Sequence, residues 1–216
     1  MKALSLVALA AFFATAPAQA YDSTKPSLSI NAGLIQPLLL RGANVEVDFR
    51  WRYVVISYSH GWSLYMGGAT VVGEAKAQNI ELRLPFSTGL GIGGSFYSQT
   101  LNSFFELRLE PKVHRFEVSY LTGQGASVPI TQYTTMTLGA GAYWTFVPFA
   151  SRVDAWRGLN LSTSVRYWPN IASTLPGNAV EYDNALTGRR ETHRTANIGM
   201  AGTPLLVNIS LGYVFQ

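Results

Sequence analysis

Hydrophobic and polar residues alternate along most of the chain beyond residue 20. Val45, Val47 and Phe49, for example, are separated by acidic residues. Because successive side chains of a β-strand point to opposite faces, this alternation predicts strands with one apolar and one polar face. Ten antiparallel strands are the preferred prediction, with eight as the fallback if two of the segments are mispaired. The segments are 27–34, 44–51, 54–66, 79–86, 90–97, 105–110, 115–120, 136–146, 159–167 and 205–215.

The connections between these segments are alternately short and long. Short ones are expected near 50–53, 86–89 and 111–113, and longer ones at 36–43, 67–75, 98–103, 121–131 and 169–202. Bacterial transmembrane β-barrels have short periplasmic turns, longer extracellular loops and an even number of strands. The pattern therefore predicts a closed antiparallel barrel with both termini in the periplasm. The connection 147–158 departs from it, because a short turn is expected there.

The composition narrows the class of protein. Charged residues make up 13% of the chain, against roughly 25% in soluble domains, and aromatic residues make up 12%. A soluble domain would cover its surface poorly with so few charges. The net charge of +4 is too small for a dedicated nucleic-acid-binding protein. The absence of cysteine excludes disulfides, thiol nucleophiles and cysteine-ligated metals or haem.

The first twenty residues have the features of an export signal. Lys2 is followed by an apolar run over positions 3–13 and by small residues that end at Ala20. This order defines a cleavable signal peptide. We therefore predict that residues 1–20 are removed and that residues 21–216 form one exported domain. No later apolar run reaches the roughly 20 residues of a transmembrane helix, which leaves a membrane β-barrel or a secreted or periplasmic all-β protein.

Alternation alone does not show which face points outward, because a lipocalin-like soluble barrel keeps its apolar face inside. Three features favour an apolar exterior. Small residues such as Gly91 and Gly139 lie on the polar face, as a crowded interior requires. Aromatic residues such as Trp51 and Phe146 lie near strand ends on the apolar face, where interfacial girdles occur. The charges of the polar face also come in sets of opposite sign.

These charges are predicted to pair inside the barrel. In a hairpin that turns at 111–113, Arg108 would face Glu117 across the strands. Buried charges must be paired, so a nearly balanced set would largely plug the lumen. The residues assigned to this lumen network are Glu46, Asp48, Arg50, Glu81, Arg83, Glu106, Arg108, Glu110, Arg115, Glu117 and Arg166.

The pattern over residues 21–216 resembles that of small bacterial outer-membrane β-barrel proteins with eight to ten strands. The last strand carries the closest approach to a motif, because Leu211, Tyr213 and Phe215 alternate up to the penultimate position. The resemblance implies an outer-membrane location and contact with outer-membrane lipid and lipopolysaccharide. It also implies recognition by the barrel-assembly machinery through Tyr213 and Phe215. The penultimate rather than final position of Phe215 departs from the usual ending.

His60 is the main candidate for catalysis, since some barrels of this class hydrolyse lipids. It shares the apolar face with Tyr58 and Trp62, whereas Ser59 points into the lumen. No outward serine or acid is placed to complete a catalytic triad. We therefore predict no catalytic residues and interpret His60 as an interfacial side chain.

The other histidines and an arginine cluster offer weaker chemistry. His114 is expected at the periplasmic rim, and His193 in the longest loop, where one histidine gives too few ligands for a metal. No metal or other cofactor is predicted. Arg189, Arg190 and Arg194 are candidates for lipopolysaccharide contact, because guanidinium groups bind phosphate bidentately.

Three functional hypotheses follow. The first is a non-enzymatic outer-membrane protein with a structural or surface-interaction role, because barrels near eight strands are filled by side chains. The second is a narrow passive channel for small solutes, which would depend on the lumen charges. The third is a membrane-embedded lipid-modifying enzyme, which would depend on His60.

Overall fold

The computed structural model describes residues 22, 24–70, 73–152 and 154–216, and the expected signal peptide lies outside these residues. Eight antiparallel strands form a closed barrel: β1 (Ser27–Gly33), β2 (Ala43–Trp51), β3 (Val54–Met66), β4 (Ile80–Ser98), β5 (Ser103–Leu121), β6 (Ser127–Phe146), β7 (Leu159–Tyr167) and β11 (Leu205–Phe215). Consecutive strands pair from β1 to β7. Pairing of β7 with β11, and of β11 with β1, closes the ring.

The connections contain three further strands and short helical segments. The strands are β8 (Asn170–Ser173), β9 (Ala179–Asn184) and β10 (Arg189–Arg194), and the helices are α1 (Ile35–Leu39) and α2 (Gly73–Ala77). β8 pairs with β6, whereas β9 and β10 form a separate two-stranded sheet. In the part of the chain that the structure describes, no helix has the length and apolar character needed to cross a membrane.

The barrel has eight strands because two expected turns lie inside longer strands. Residues 86–89 belong to β4 and residues 111–113 to β5, and each of these strands has 19 residues. The preferred count of ten is therefore corrected to eight. The predicted hairpin pairing of Arg108 with Glu117 is wrong, because both residues lie in β5.

The apparent turn in β5 is a change of surroundings, not of chain direction. Leu107 and Leu109 point outward and are exposed, whereas Phe116 and Val118 point inward and are buried. The alternation of buried and less buried positions along β5 is unbroken between these pairs. The sequence pattern changes phase because the apolar side of the wall changes from the outside to the inside.

The apolar side chains of β4 change sides for a different reason. Leu84 is buried inside, whereas Leu90 is exposed outside. The pairing of β4 with β5 shifts by one residue between Arg83 and Ser87. An extra residue in one strand is a β-bulge, and Pro85, which has no N–H to donate, lies within it.

A belt of exposed apolar side chains surrounds the lower barrel, while polar side chains fill its interior. The belt includes Leu28, Ile30, Phe49, Ile56, Leu90, Ile92, Leu107, Leu109, Leu138, Val165, Ile209 and Leu211. Trp51 and Phe96 mark one rim of the belt, and Trp62 and Tyr167 mark the other. An apolar exterior with aromatic rims is the arrangement of an outer-membrane β-barrel. The predicted fold class is confirmed, and the lipocalin-like alternative is excluded.

Beyond the belt, the extensions of β3 to β6 have the opposite polarity. We call residues 64–66, 80–84, 115–121 and 127–134 the crest. Its inner face carries an apolar core that also contains Leu175 of the long loop. Residues 170–197, which we call the cap, contain β8, β9 and β10 and pack against this core. The core residues are Leu64, Met66, Ile80, Leu82, Leu84, Phe116, Val118, Tyr120, Tyr133 and Leu175.

The connections place the crest and cap on the extracellular side. At the end of the barrel where β1 begins and β11 ends, the strands are connected by residues 52–53, 99–102 and 147–158. Residues 34–42, 67–79, 122–126 and 168–204 connect strands at the opposite end. Shorter turns at the periplasmic end and longer loops outside are typical of outer-membrane barrels, and only 147–158 departs from this among these connections.

Candidate functional site

Arg108 lies at the centre of an ion-pair network in the lumen. Its Nη1 atom is 2.7 Å from Glu46 Oε1 and 2.8 Å from Asp48 Oδ1. Its Nε atom donates to Glu106 Oε2 at 2.9 Å, and its Nη2 atom binds the same carboxylate. Inward positions of β2 and β5 thus converge because alternate residues of both strands face the lumen.

Two further arginines extend this network. Arg50 Nε is 2.5 Å from Glu106 Oε1, and its Nη2 is 3.2 Å from Asp48 Oδ2. Arg166 Nη2 is 2.8 Å from Glu46 Oε2. Each of the three carboxylates therefore binds two guanidinium groups, which satisfies buried acceptors with charge-assisted hydrogen bonds.

A second layer lies on the extracellular side of the network. Trp168 Nε1 donates to Glu110 Oε2 at 2.6 Å, and Tyr143 donates to the other oxygen of that carboxylate. Lys112 Nζ binds the hydroxyl of Ser59 and lies 4.2 Å from the Trp168 ring centroid. Trp168, which begins the long loop, thus packs over the charged lumen.

The two layers contain equal numbers of acidic and basic side chains. All eight are at most 5% exposed. Their formal charges cancel, so the interior does not need bulk water or mobile ions to balance them. The residues are Glu46, Asp48, Glu106, Glu110, Arg50, Arg108, Lys112 and Arg166.

Four residues assigned to the lumen from sequence lie elsewhere. Glu81, Arg83, Arg115 and Glu117 alternate with the inward core residues of the crest and so lie on its outer face. Arg83 is directly opposite Glu117 in the β4–β5 pairing. The assignment is corrected because these residues lie on the outer face of the crest. Arg83, Arg115 and Glu117 border water there, whereas Glu81 is buried and accepts hydrogen bonds from Tyr65 Oη and Ser127 Oγ.

Glycines on the inner wall make room for the large lumen side chains. A Cβ atom on Gly139 would lie 2.3 Å from Trp168 Cδ1, and one on Gly141 would lie 2.7 Å from Tyr143 Cε2. Real Cβ atoms do not approach so closely. The small residues of the polar face therefore provide space for aromatic rings beside the charges.

His60 lies on the outer face, as the sequence predicts. Its ring stacks between Tyr58 and Trp62, with centroids 6.4 Å and 5.9 Å away. Its neighbours across the strands are Val45 and Thr88.

His114 is corrected from the periplasmic rim to the buried lumen. Its Nδ1 atom is 2.8 Å from Ser87 Oγ, and its Nε2 atom is 3.1 Å from Thr137 Oγ1. It lies two residues beyond Lys112 on the inward face of β5. Within the described ranges, no three His, Asp or Glu side chains are placed to hold a metal ion together.

Two tyrosines of the crest contact the cap through a hydrogen bond and ring packing. Tyr133 Oη accepts a hydrogen bond from Ala196 N at 2.9 Å and lies 3.1 Å from His193 Nε2. Tyr120 packs against the Tyr182 ring at a centroid distance of 5.8 Å. His193 lies in the longest loop, as the sequence predicts, but it is buried between cap and crest.

The three candidate lipopolysaccharide-binding arginines lie on β10. Arg190 Nη2 is 2.8 Å from Glu181 Oε2 on β9, and both side chains are mostly exposed. Arg189 and Arg194 are also exposed at the two ends of the strand. Contact of these residues with phosphate stays a prediction.

Docking of the cap is expected to weaken in acid. Burial lowers the pKa of His193 from 6.5 to about 4. When the cap is undocked, His193 has its ordinary pKa and binds a proton more readily than it does when buried. The stabilisation of the docked cap by neutral His193 is therefore complete above pH 6.5 and is lost as the pH falls towards 4. At pH 5 the loss is up to about 2 kcal/mol. Amide hydrogen exchange of β9 and β10, compared at pH 7.5 and pH 5 after correction for intrinsic rates, measures it.

His193→Gln provides the matched test of this prediction. Glutamine keeps a hydrogen-bonding group near Tyr133 but does not titrate, so the difference between the two pH values should disappear. His60→Gln, on the lipid-facing side, should retain the wild-type difference. An unchanged pH dependence in His193→Gln would assign the effect to another group.

The chain is similar in fold to several solved barrels at low sequence identity. The N-terminal β-barrel domain of Pseudomonas aeruginosa OprF has 8% identity and a TM-score of 0.44, covering 88% of this chain and 97% of that one. The attachment invasion locus protein Ail of Yersinia pestis has 13% identity and a TM-score of 0.41, with coverages of 88% and 97%. A major outer membrane protein of Thermus thermophilus has 13% identity and a TM-score of 0.41, with coverages of 88% and 100%.

Searches by sequence add no relative, since no family model and no curated protein matches the chain. The structural neighbours belong to the class named from the sequence, small bacterial outer-membrane β-barrels. They identify no subfamily.

Proposed function

We propose that this protein is a closed, non-enzymatic outer-membrane barrel that holds a folded interaction surface, the crest and cap, outside the cell. The buried and balanced charge network of the lumen carries this proposal. The network supports a barrel that anchors the protein in the membrane rather than a channel for solutes, because eight-stranded barrels have interiors just wide enough for side chains to fill. The cap is the largest folded part outside the membrane belt, and loops on rigid scaffolds commonly carry function.

The arrangement of polar groups around His60 supports the non-enzymatic assignment. Ser59 points inward and binds Lys112 beneath the Trp168 ring, so it faces away from lipid substrates. On the lipid side, His60 contacts two aromatic rings. Recognition by the assembly machinery through Tyr213 and Phe215, and lipid contact, belong to the same proposal.

The lumen of the folded protein is expected not to conduct ions. We expect no single-channel steps in a planar bilayer when folding has been verified by a heat-dependent shift on SDS gels. The reason is that Arg108 and its partners occupy the cross-section with paired charges. A sixteen-stranded porin in the same bilayer checks that insertion is detected.

Reproducible steps from folded protein would replace this proposal by the narrow-channel hypothesis, particularly if Arg166→Gln altered their conductance.

Trypsin added to intact cells tests whether the cap lies outside the cell. Cleavage is expected after Arg189 or Arg190 in the cap, while Arg152 in the periplasmic connection stays uncut. Cleavage after Arg152 alone would show that the barrel has the opposite orientation in the membrane.

A further inference from the structure

The cap contains a strand with an unpaired edge. β10 pairs with β9 in a two-stranded sheet, and no other strand of the described residues pairs with β10. Such an edge presents a row of backbone donors and acceptors that can template another strand. The open edge of β10 is therefore a candidate site for strand addition.

The register shows which backbone groups point away from β9. Thr195 N donates to Asn178 O at 3.0 Å, so the odd-numbered residues of β10 direct their backbone groups towards β9. Because the direction alternates along an antiparallel pair, the backbone groups of Arg190, Thr192 and Arg194 point to the open side. Three residues thus offer an N–H and a C=O each to an added strand.

A cavity of about 210 Å³ lies between this open side and the ends of β3 and β4. Met66, Ile80 and Leu82 form its apolar part, and Thr192 and His193 line it from β10. An apolar cavity of about 150 Å³ accommodates benzene. This cavity therefore has room for one or two aliphatic side chains of a neighbouring strand.

The charges beside the edge favour an acidic partner chiefly through Arg194, because Arg190 Nη2 is already 2.8 Å from Glu181 Oε2 on β9. Arg190 and Arg194 alternate with the inward-facing His193, so they lie on the solvent side of the sheet. Glu191, on the inward side, is bound by Asn184 Nδ2 and Thr187 Oγ1 at 3.2 and 2.6 Å. An added strand would therefore place its outward side chains beside two arginines and its inward side chains at the cavity.

We propose that the open edge of β10 binds an extended segment of a partner protein in which acidic and apolar residues alternate. The segment adds a third strand to the β9–β10 sheet, with its carboxylates beside Arg190 and Arg194 and an apolar side chain in the cavity. Strand addition gives affinity through the backbone and specificity through alternate side chains. The inference rests on the proposed function of the cap as an interaction surface.

Binding of a synthetic peptide to the full chain in nanodiscs tests this inference. The probe is a fluorescent seven-residue peptide that alternates glutamate with valine or leucine. We expect saturable binding by anisotropy, at least tenfold tighter than that of a peptide with the same residues in blocks or with lysine in place of glutamate. Methylation of the peptide's backbone nitrogens on the paired side should abolish binding.

Variants of β10 identify the site. Thr192→Pro removes an N–H that points away from β9, so it should abolish peptide binding while the barrel keeps its heat-dependent gel shift. Arg194→Glu should weaken binding at least tenfold, whereas Arg115→Glu, on the outer face of the crest, should leave it unchanged.

Absence of binding at about 1 mM peptide overturns the inference. Equal binding of the peptide whose residues are arranged in blocks also overturns it. So does undiminished binding to Thr192→Pro together with undiminished binding of the methylated peptide. These results leave the conductance and cleavage experiments unaffected, so failure here is distinguishable from failure of the proposed function.

Discussion

Replacement of Arg108 by alanine is expected to lower the free energy of unfolding by about 3–5 kcal/mol, the usual result of removing one partner of a buried ion pair. Arg108 binds three carboxylates, and all of them are buried. Without the guanidinium group, Glu46 and Asp48 would each retain only one arginine partner. Uncompensated negative charge would then remain in the lumen.

Urea unfolding of the protein in lipid vesicles, followed by tryptophan fluorescence, measures this loss. Arg115→Ala is the matched control, because Arg115 lies in the same strand but on the outer face of the crest. There its Nη2 atom donates to Gln132 Oε1 at 2.8 Å, and we expect a change within about 0.5 kcal/mol. Equal losses in the two variants would contradict the lumen network as a source of stability.

Introduction of an arginine into the membrane belt is expected to have the second-largest effect. Leu107 lies between Arg108 and Glu106 in sequence but points outward, with 71% of its surface exposed. Leu107→Arg should cost about 2–4 kcal/mol, as measured for arginine on the lipid face near the midplane of such barrels. The reason is that the guanidinium group loses water without gaining a partner.

The same vesicle unfolding experiment compares Leu107→Arg with Ser119→Arg. Ser119 also points outward from β5, but it lies on the crest, where the outer face carries Arg115 and Glu117. Arginine at this position should change the free energy of unfolding by less than about 0.5 kcal/mol. A similar large loss at Ser119 would place the crest inside the membrane and contradict the reversal of polarity.

The candidate site was only partly predictable from sequence. Glu46, Asp48 and Arg50 occupy alternate positions of β2, so the period of two was enough to place them on the polar face. Lys112 was missed because Pro111 and the change of phase beside it were interpreted as a turn. Its inward position follows from the unbroken alternation that starts at Arg108, and counting by twos through Pro111 would have found it.

The crest shows why the remaining assignments failed. Phe116 and Val118 have the same pattern as lipid-facing residues, and periodicity reports two different faces without saying which solvent borders each face. The cap that covers these residues is distant in sequence. This long-range contact buries the apolar inner face of the crest and leaves Arg115 and Glu117 on the side that borders water.

The sequence by itself determined the closed antiparallel barrel, its apolar exterior and the placement of charges on the inner face of the belt, because side-chain direction in a strand depends only on local backbone geometry. The tertiary structure decided the number of strands, the partners of each charge and the burial of His193. These depend on register, on bulges such as that at Pro85, and on the contact of the cap with Tyr133. Such features depend on residues far apart in the chain, so local alternation cannot specify them.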